Sequence, residues 1–98
     1  MSRRSATPQH IGSVLSDLVE RLGIGPRLNE AKAVEAWAEL AGSSIIAVTD
    51  SVRVKSGRMI IKITSPTWRY ELSLQRNEWR ERINGYVGKE VVREVIFR

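Results

Sequence analysis

Arg53, Lys55, Arg58 and Lys62 fall within fifteen residues, 51–65, that hold four basic residues and no acidic one. In an extended chain, alternate residues share a face, so these cations line one side of a pleated segment. Such a row can neutralise successive phosphates of a nucleic acid. It can equally be a solvated sheet surface whose charge deters aggregation. Arg69, Arg76 and Arg80 follow at helical spacing and can extend the same surface, meet an acidic partner, or pair with nearby carboxylates such as Glu71 and Glu78. Arg3 and Arg4 add charge at the N-terminus. Trp37, Trp68 and Trp79 have the ring area to stack bases, but their spacing on apolar helix faces favours a place in the core. Tyr70 lies off that stripe and is the better stacking candidate.

Other chemistry finds little support. His10 is the sole histidine and there is no cysteine, so no transition-metal site, no thiolate nucleophile and no disulfide framework is expected. The carboxylates fall at helix-surface spacings, the serines have no partnered base, and no phosphate-binding GxxxxGK[ST] is present. The chain therefore reads as a non-enzymatic protein without cofactor or small-molecule substrate. A net charge of +5 and a pI near 10.2 point to an anionic partner. The charge is polarised, because residues 28–50 carry one basic and four acidic residues just before the all-basic segment. No apolar run approaches the roughly 20 residues needed to span a bilayer, and no apolar segment follows Arg3 and Arg4, so a cytoplasmic protein is expected.

These side chains need elements to hold them. Residues 1–8 read as a flexible basic tail, and 9–98 as a single domain. Ile11, Val14, Leu15, Leu18, Val19 and Leu22 predict a first helix over 9–22, broken by Gly23, Gly25 and Pro26. A second helix is expected over 28–41, with Val34, Trp37, Leu40 and Ala41 on one side and Gly42 at its end. SSIIAVT, after Gly42, fits either a short helical turn or an extended connection. Ser56-Gly57 between two alternating runs predicts a two-residue hairpin in which Lys55 pairs with Arg58, Val54 with Met59 and Val52 with Ile61. One face of that hairpin is then apolar, with Ile63 continuing it, and the other is basic.

Pro66 opens a long third helix running to about Gly85, with Ser65 or Thr67 as its cap and a stripe of Trp68, Leu72, Gln75, Trp79 and Ile83. Gly85 and Gly88 end it, and VVREVIFR supplies a third strand with apolar residues on both faces. The order is α-α-β-β-α-β. A right-handed crossover places the third strand parallel to the second, giving an α+β fold whose three-stranded mixed sheet is covered by helices on one face.

Several stretches resemble the DciA family of bacterial replicative-helicase loaders. They are WAELAG at 37–42, Ile45 to Thr49, VRVKSGRMIIKI at 52–63, TSPTWRYEL at 64–72 and the ending INGYVGKEVVREVIFR. The resemblance implies a KH-like domain that contacts the hexameric replicative helicase DnaB and nucleic acid, with single-stranded DNA as the expected ligand. Many members continue into a flexible C-terminal extension, whereas this sequence ends at Arg98, so a short form is implied. Gly85-Tyr86-Val87-Gly88 matches the GxxG of KH domains in letters only. It joins a helix to a strand and has apolar middle residues, so it reads as a helix end rather than a backbone clamp.

The expected function is thus an adaptor that assists helicase loading in DNA replication. An RNA-binding KH-like module of RNA or ribosome metabolism is the alternative, and a purely protein-interacting domain a third. Four phosphate contacts on a single strand would give a log-log salt slope of about −3.

Overall fold

Ser56 and Gly57 set the sheet. Both take positive φ, 52° and 81°, the backbone of a tight turn whose twist matches that of the strands it joins. The computed structural model describes residues 18, 21–23 and 25–98. In it, β1 (Thr49–Lys55) and β2 (Arg58–Ile63) pair antiparallel in the predicted register, Lys55 with Arg58, Val54 with Met59 and Val52 with Ile61. Thr49 pairs with Ile63 and Ser51 with Lys62, which leaves Asp50 as the extra residue of a bulge. β3 (Glu94–Phe97) runs parallel to β2 as expected, with Met59 beside Val95 and Ile61 beside Phe97. The sheet order is β1-β2-β3, so β1 and β3 are its edges.

One face of this mixed sheet is dry. Met59, Ile61, Ile63, Val95 and Phe97 are buried there under Trp37, Leu72, Trp79 and Ile83 from the helices. β3 carries apolar residues on both faces, and its inward pair is Val95 and Phe97, leaving Ile96 half-buried on the other side. Trp37 is the hub. Its ring lies 4.7 Å from Trp79 and 5.6 Å from Phe97, both tilted, and its Nε1–H donates to Thr49 Oγ1 at 3.3 Å. The Thr49 hydroxyl in turn donates to the Ile45 carbonyl at 2.8 Å, tying three elements together. The tryptophans are therefore core residues, with Trp68 partly buried against the same cluster.

The second predicted helix appears as α1 (Gly25–Leu40), three residues longer at its start, where Pro26 sits in the first turn and loses no intrahelical bond. Its buried ridge is Ala33, Ala36 and Trp37 rather than one including Val34, which is 37% exposed. Two alanines let α1 lie close to its neighbouring helix, and this close contact turns Val34 toward the rim. SSIIA forms a short helix, α2 (Ser43–Ala47), which settles the ambiguity at that position. The tail over 1–8 and the first predicted helix over 9–22 lie outside the described residues, except that residues 18, 21 and 22 are helical.

The long helix expected from Pro66 to Gly85 is two helices. α3 (Pro66–Leu74) starts as predicted, with Ser65 Oγ accepting from the Trp68 amide at 3.3 Å and Pro66 in the first turn. It ends at Gln75, whose φ of −104° and ψ of 16° leave the helical region, and α4 (Arg76–Val87) begins immediately after. The stripe position held by Gln75 explains the break, since a straight helix would press that polar side chain toward the core, whereas here it is exposed. α3 packs on β2 and β3, while α4 packs on α1 and β3. Gly85 lies inside α4, and the helix stops at Gly88, whose φ is 92° and whose amide donates to the Asn84 carbonyl at 2.8 Å.

Candidate nucleic-acid interface

Because side chains alternate along β1 and β2, burying Met59, Ile61 and Ile63 forces Arg53, Lys55, Arg58 and Lys62 to the opposite face, where all four are exposed. Ile60 and Ile96 sit half-buried among them as cross-strand neighbours. A shallow depression of about 230 Å³ is lined by Arg53, Lys55, Ser56, Arg58 and Ile60. Cations around a small apolar floor suit a ligand that has both phosphates and flat rings.

The four cations are not equivalent. Arg58 Nε lies 3.3 Å from Glu94 Oε1, its neighbour on β3, and Lys62 Nζ lies 3.7 Å from Asp50 Oδ2 at the bulge. Both pairs are more than half exposed, so each contributes about 0–1 kcal/mol and a phosphate can compete for the cation. The carboxylate nevertheless remains beside any phosphate that binds. Arg53 and Lys55 have no ion pair among the described residues, and they are the strongest phosphate candidates.

The helical arginines belong to a different layer. Arg69 Nη1 donates to the Ile63 carbonyl at 3.0 Å and is half-buried, so it anchors α3 to the end of β2. Arg80 lies 3.8 Å from both Glu81 and Glu90, with its side chain 27% exposed. Arg76 is exposed. Among the described residues, Arg80 alone of the three has carboxylate partners, and they are Glu81 and Glu90 instead of Glu71 and Glu78. Tyr70 is 65% exposed, and Leu74, one turn later on the same helix, is 66% exposed. Arg3, Arg4 and His10 lie outside the described residues.

Three positioning residues had no sequence signal. Arg93 donates from Nη2 to the Ser56 carbonyl at 2.7 Å, while the Arg93 amide reaches the Gly57 carbonyl at 2.8 Å, so the residue before β3 clamps the hairpin turn. Asn84 accepts from the Val91 and Val92 amides at 3.0 and 2.8 Å and donates to the Val92 carbonyl at 2.8 Å, fixing the approach to β3. Arg82 covers the Trp79 ring at 4.3 Å and donates to the Leu40 carbonyl at 3.4 Å, where it caps α1. On the far side, the Tyr86 hydroxyl donates to Glu35 Oε2 at 2.6 Å. That hydrogen bond, with burial and the charges of Glu35 and Glu39, raises the Tyr86 pKa above its ordinary value.

Among the described residues, no group of His, Asp and Glu side chains is placed to hold a metal ion, and no helix is long and apolar enough to cross a membrane. A mixed sheet with helices on one face and cations on the other defines a small α+β domain. The chain belongs to the DciA family, described as "Dna[CI] antecedent, DciA", which matches residues 10–97. It is also 22% identical over 88 residues to a UPF0232 protein of Rhodococcus jostii (strain RHA1), a match covering 90% of this chain and 47% of that protein. The chain thus spans about half the length of the curated relative it matches.

Proposed function

We propose that this protein is a non-enzymatic adaptor of DNA replication that binds the replicative helicase and single-stranded DNA and helps place the helicase ring on the strand. The observation that carries the reading is the exposed cationic face of the hairpin in a chain of the DciA family, whose members are helicase loaders. The core fixes the spacing of Arg53 and Lys55, so phosphate binding there requires little reorganisation of the backbone. On α1, Glu35, which accepts from Tyr86 of α4, and Glu39 one turn later suit a protein partner, whereas Glu30 lies beside Arg53 and Lys55.

Loading by binding alone is physically sufficient. An adaptor that binds an open ring more tightly than a closed one shifts the ring toward the open state without nucleotide chemistry. The test is retention of purified replicative helicase on the immobilised protein, with and without single-stranded DNA. It is compared with a variant carrying Arg53→Glu, Lys55→Glu, Arg58→Glu and Lys62→Glu. Wild type retains helicase in both conditions, and the variant retains helicase but no DNA. A folded wild-type protein that captures neither helicase nor DNA sinks the proposal.

A further inference from the structure

We infer that a single strand of nucleic acid lies in the groove between α1 and the free edge of β1, rather than flat across the outer face of the sheet. This inference rests on the nucleic-acid reading above. The groove is about 510 Å³ and is lined by Arg27, Glu30 and Val34 from α1 and by Val52, Arg53 and Lys55 along β1. Among the described residues, Arg27, Arg53 and Lys55 form no ion pair, in contrast to Arg58 and Lys62 on the middle strand. Of the four hairpin cations, the two without a carboxylate partner therefore lie on this edge strand, and the two paired ones lie on the middle strand.

The backbone adds a second feature. In a two-residue hairpin the residues flanking the turn form a hydrogen-bonded pair, and the pattern alternates from there. With Lys55 opposite Arg58, the main-chain groups of Lys55 and Arg53 bond to β2, and those of Val54 and Val52 point to the open edge. Among the described residues β1 is an outer strand and nothing pairs with this edge, so these amides and carbonyls can meet base edges. Val34, 37% exposed, and the half-buried Val52 and Val54 offer a base an apolar wall. Arg53 and Lys55, two residues apart along the strand, are about 6.6 Å apart in rise and can grip neighbouring phosphates. Arg27 stands across the groove to hold the strand from the helix side. An extended peptide could use the same edge, but three cations without an ion pair among the described residues fit the regular charge of a phosphate backbone better than one peptide side chain.

Among the described residues Glu30 is the one carboxylate lining the groove, and it makes the inference testable by a gain. Amide NMR spectra of the full chain are recorded while a short oligothymidylate is added, and affinities are measured by fluorescence anisotropy. The resonances of Arg27, Val34 and Val52 to Lys55 should shift together. Arg27→Gln should weaken binding about fivefold at roughly 0.1 M salt, the worth of one single-strand phosphate contact. Glu30→Gln should tighten it, a result that misfolding cannot produce, and Arg58→Gln with Lys62→Gln should change it less than Arg27→Gln alone.

If wild type binds oligothymidylate but Arg27→Gln and Glu30→Gln have no effect, or the shifts centre on Ile60 and Ile96, the groove inference is wrong while the nucleic-acid reading stands. A groove that responds to a polyglutamate peptide and not to oligothymidylate is a peptide-binding edge, which also overturns the inference. Absence of any oligothymidylate binding by folded wild type removes both readings.

Discussion

Replacing Asn84 by alanine should cost far more than a half-exposed helix residue normally does. Its side chain makes three hydrogen bonds at 2.8 to 3.0 Å to the backbone of Val91 and Val92, in the segment that leads into β3. The Val92 side chain beside them is fully buried, so the loop cannot lift into water without uncovering the core. The Val91 amide keeps a second acceptor in the Lys89 carbonyl at 3.0 Å, so the substitution leaves two backbone groups, the Val92 amide and carbonyl, without partners. Each costs about 1 kcal/mol at the low end of the range, which suits a site that water can partly reach. Alanine is the better helix former and returns up to about 0.7 kcal/mol. The net loss is about 1–1.5 kcal/mol.

Aspartate at the same position keeps the acceptor but places a carboxylate oxygen against the Val92 carbonyl, so Asn84→Asp should also destabilise. Urea unfolding followed by tryptophan fluorescence measures both, since Trp37 and Trp79 lie in the core. A midpoint for Asn84→Ala within about 0.5 kcal/mol of wild type, the range of ordinary surface substitutions, would refute the assignment of Asn84 as the strut of β3.

Other consequences are simpler. Gly57→Ala forces a side chain into φ of 81° and puts its Cβ 2.5 Å from Arg93 Nε, so it should cost at least about 1–2 kcal/mol by chemical denaturation, and less in an Arg93→Ala background. Gly85→Ala, by contrast, meets nothing within 4 Å inside α4 and should stabilise by about 0.5–1 kcal/mol. In a Tyr70→Phe background, ultraviolet titration should show Tyr86 ionising above the ordinary phenol value, with Glu35→Gln lowering the midpoint. Because folding raises this pKa, the Tyr86–Glu35 contribution to stability is present below the ordinary value and is lost as pH rises through the folded one. Asp50→Asn with Glu94→Gln removes the carboxylates beside Lys62 and Arg58 and should strengthen nucleic-acid binding, read by anisotropy.

The hairpin was legible because its signals agree. Ser56-Gly57 demands positive φ, and the alternation of Val52 and Val54 against Arg53 and Lys55 admits one register. The parallel β3 followed from the crossover rule, but its inward face did not, since by alternation Val91, Val95 and Phe97 compete with Val92 and Ile96 in the bare sequence, and Val92 is buried because it lies before the strand begins at Glu94. The break at Gln75 is a tertiary effect. Local propensity favours one continuous helix, and the break keeps the polar Gln75 out of the core while α3 covers the sheet and α4 packs on α1.

The uneven value of the cations was hidden for a related reason. Asp50 reaches Lys62 through a bulge, and Glu94 reaches Arg58 across a parallel strand, so both carboxylates come from outside the all-basic segment. Asn84 and Arg93 look like ordinary surface residues until the backbone groups they hold are in view.

The most direct test of the nucleic-acid reading is the salt dependence of binding to a short oligothymidylate. Arg27, Arg53 and Lys55, which have no ion pair among the described residues, predict a log-log slope of about −2, and Arg53→Gln with Lys55→Gln should reduce it to about −0.7. Folded protein with no affinity at low salt, or a slope that the double variant leaves unchanged, would contradict the claim that these cations hold phosphate.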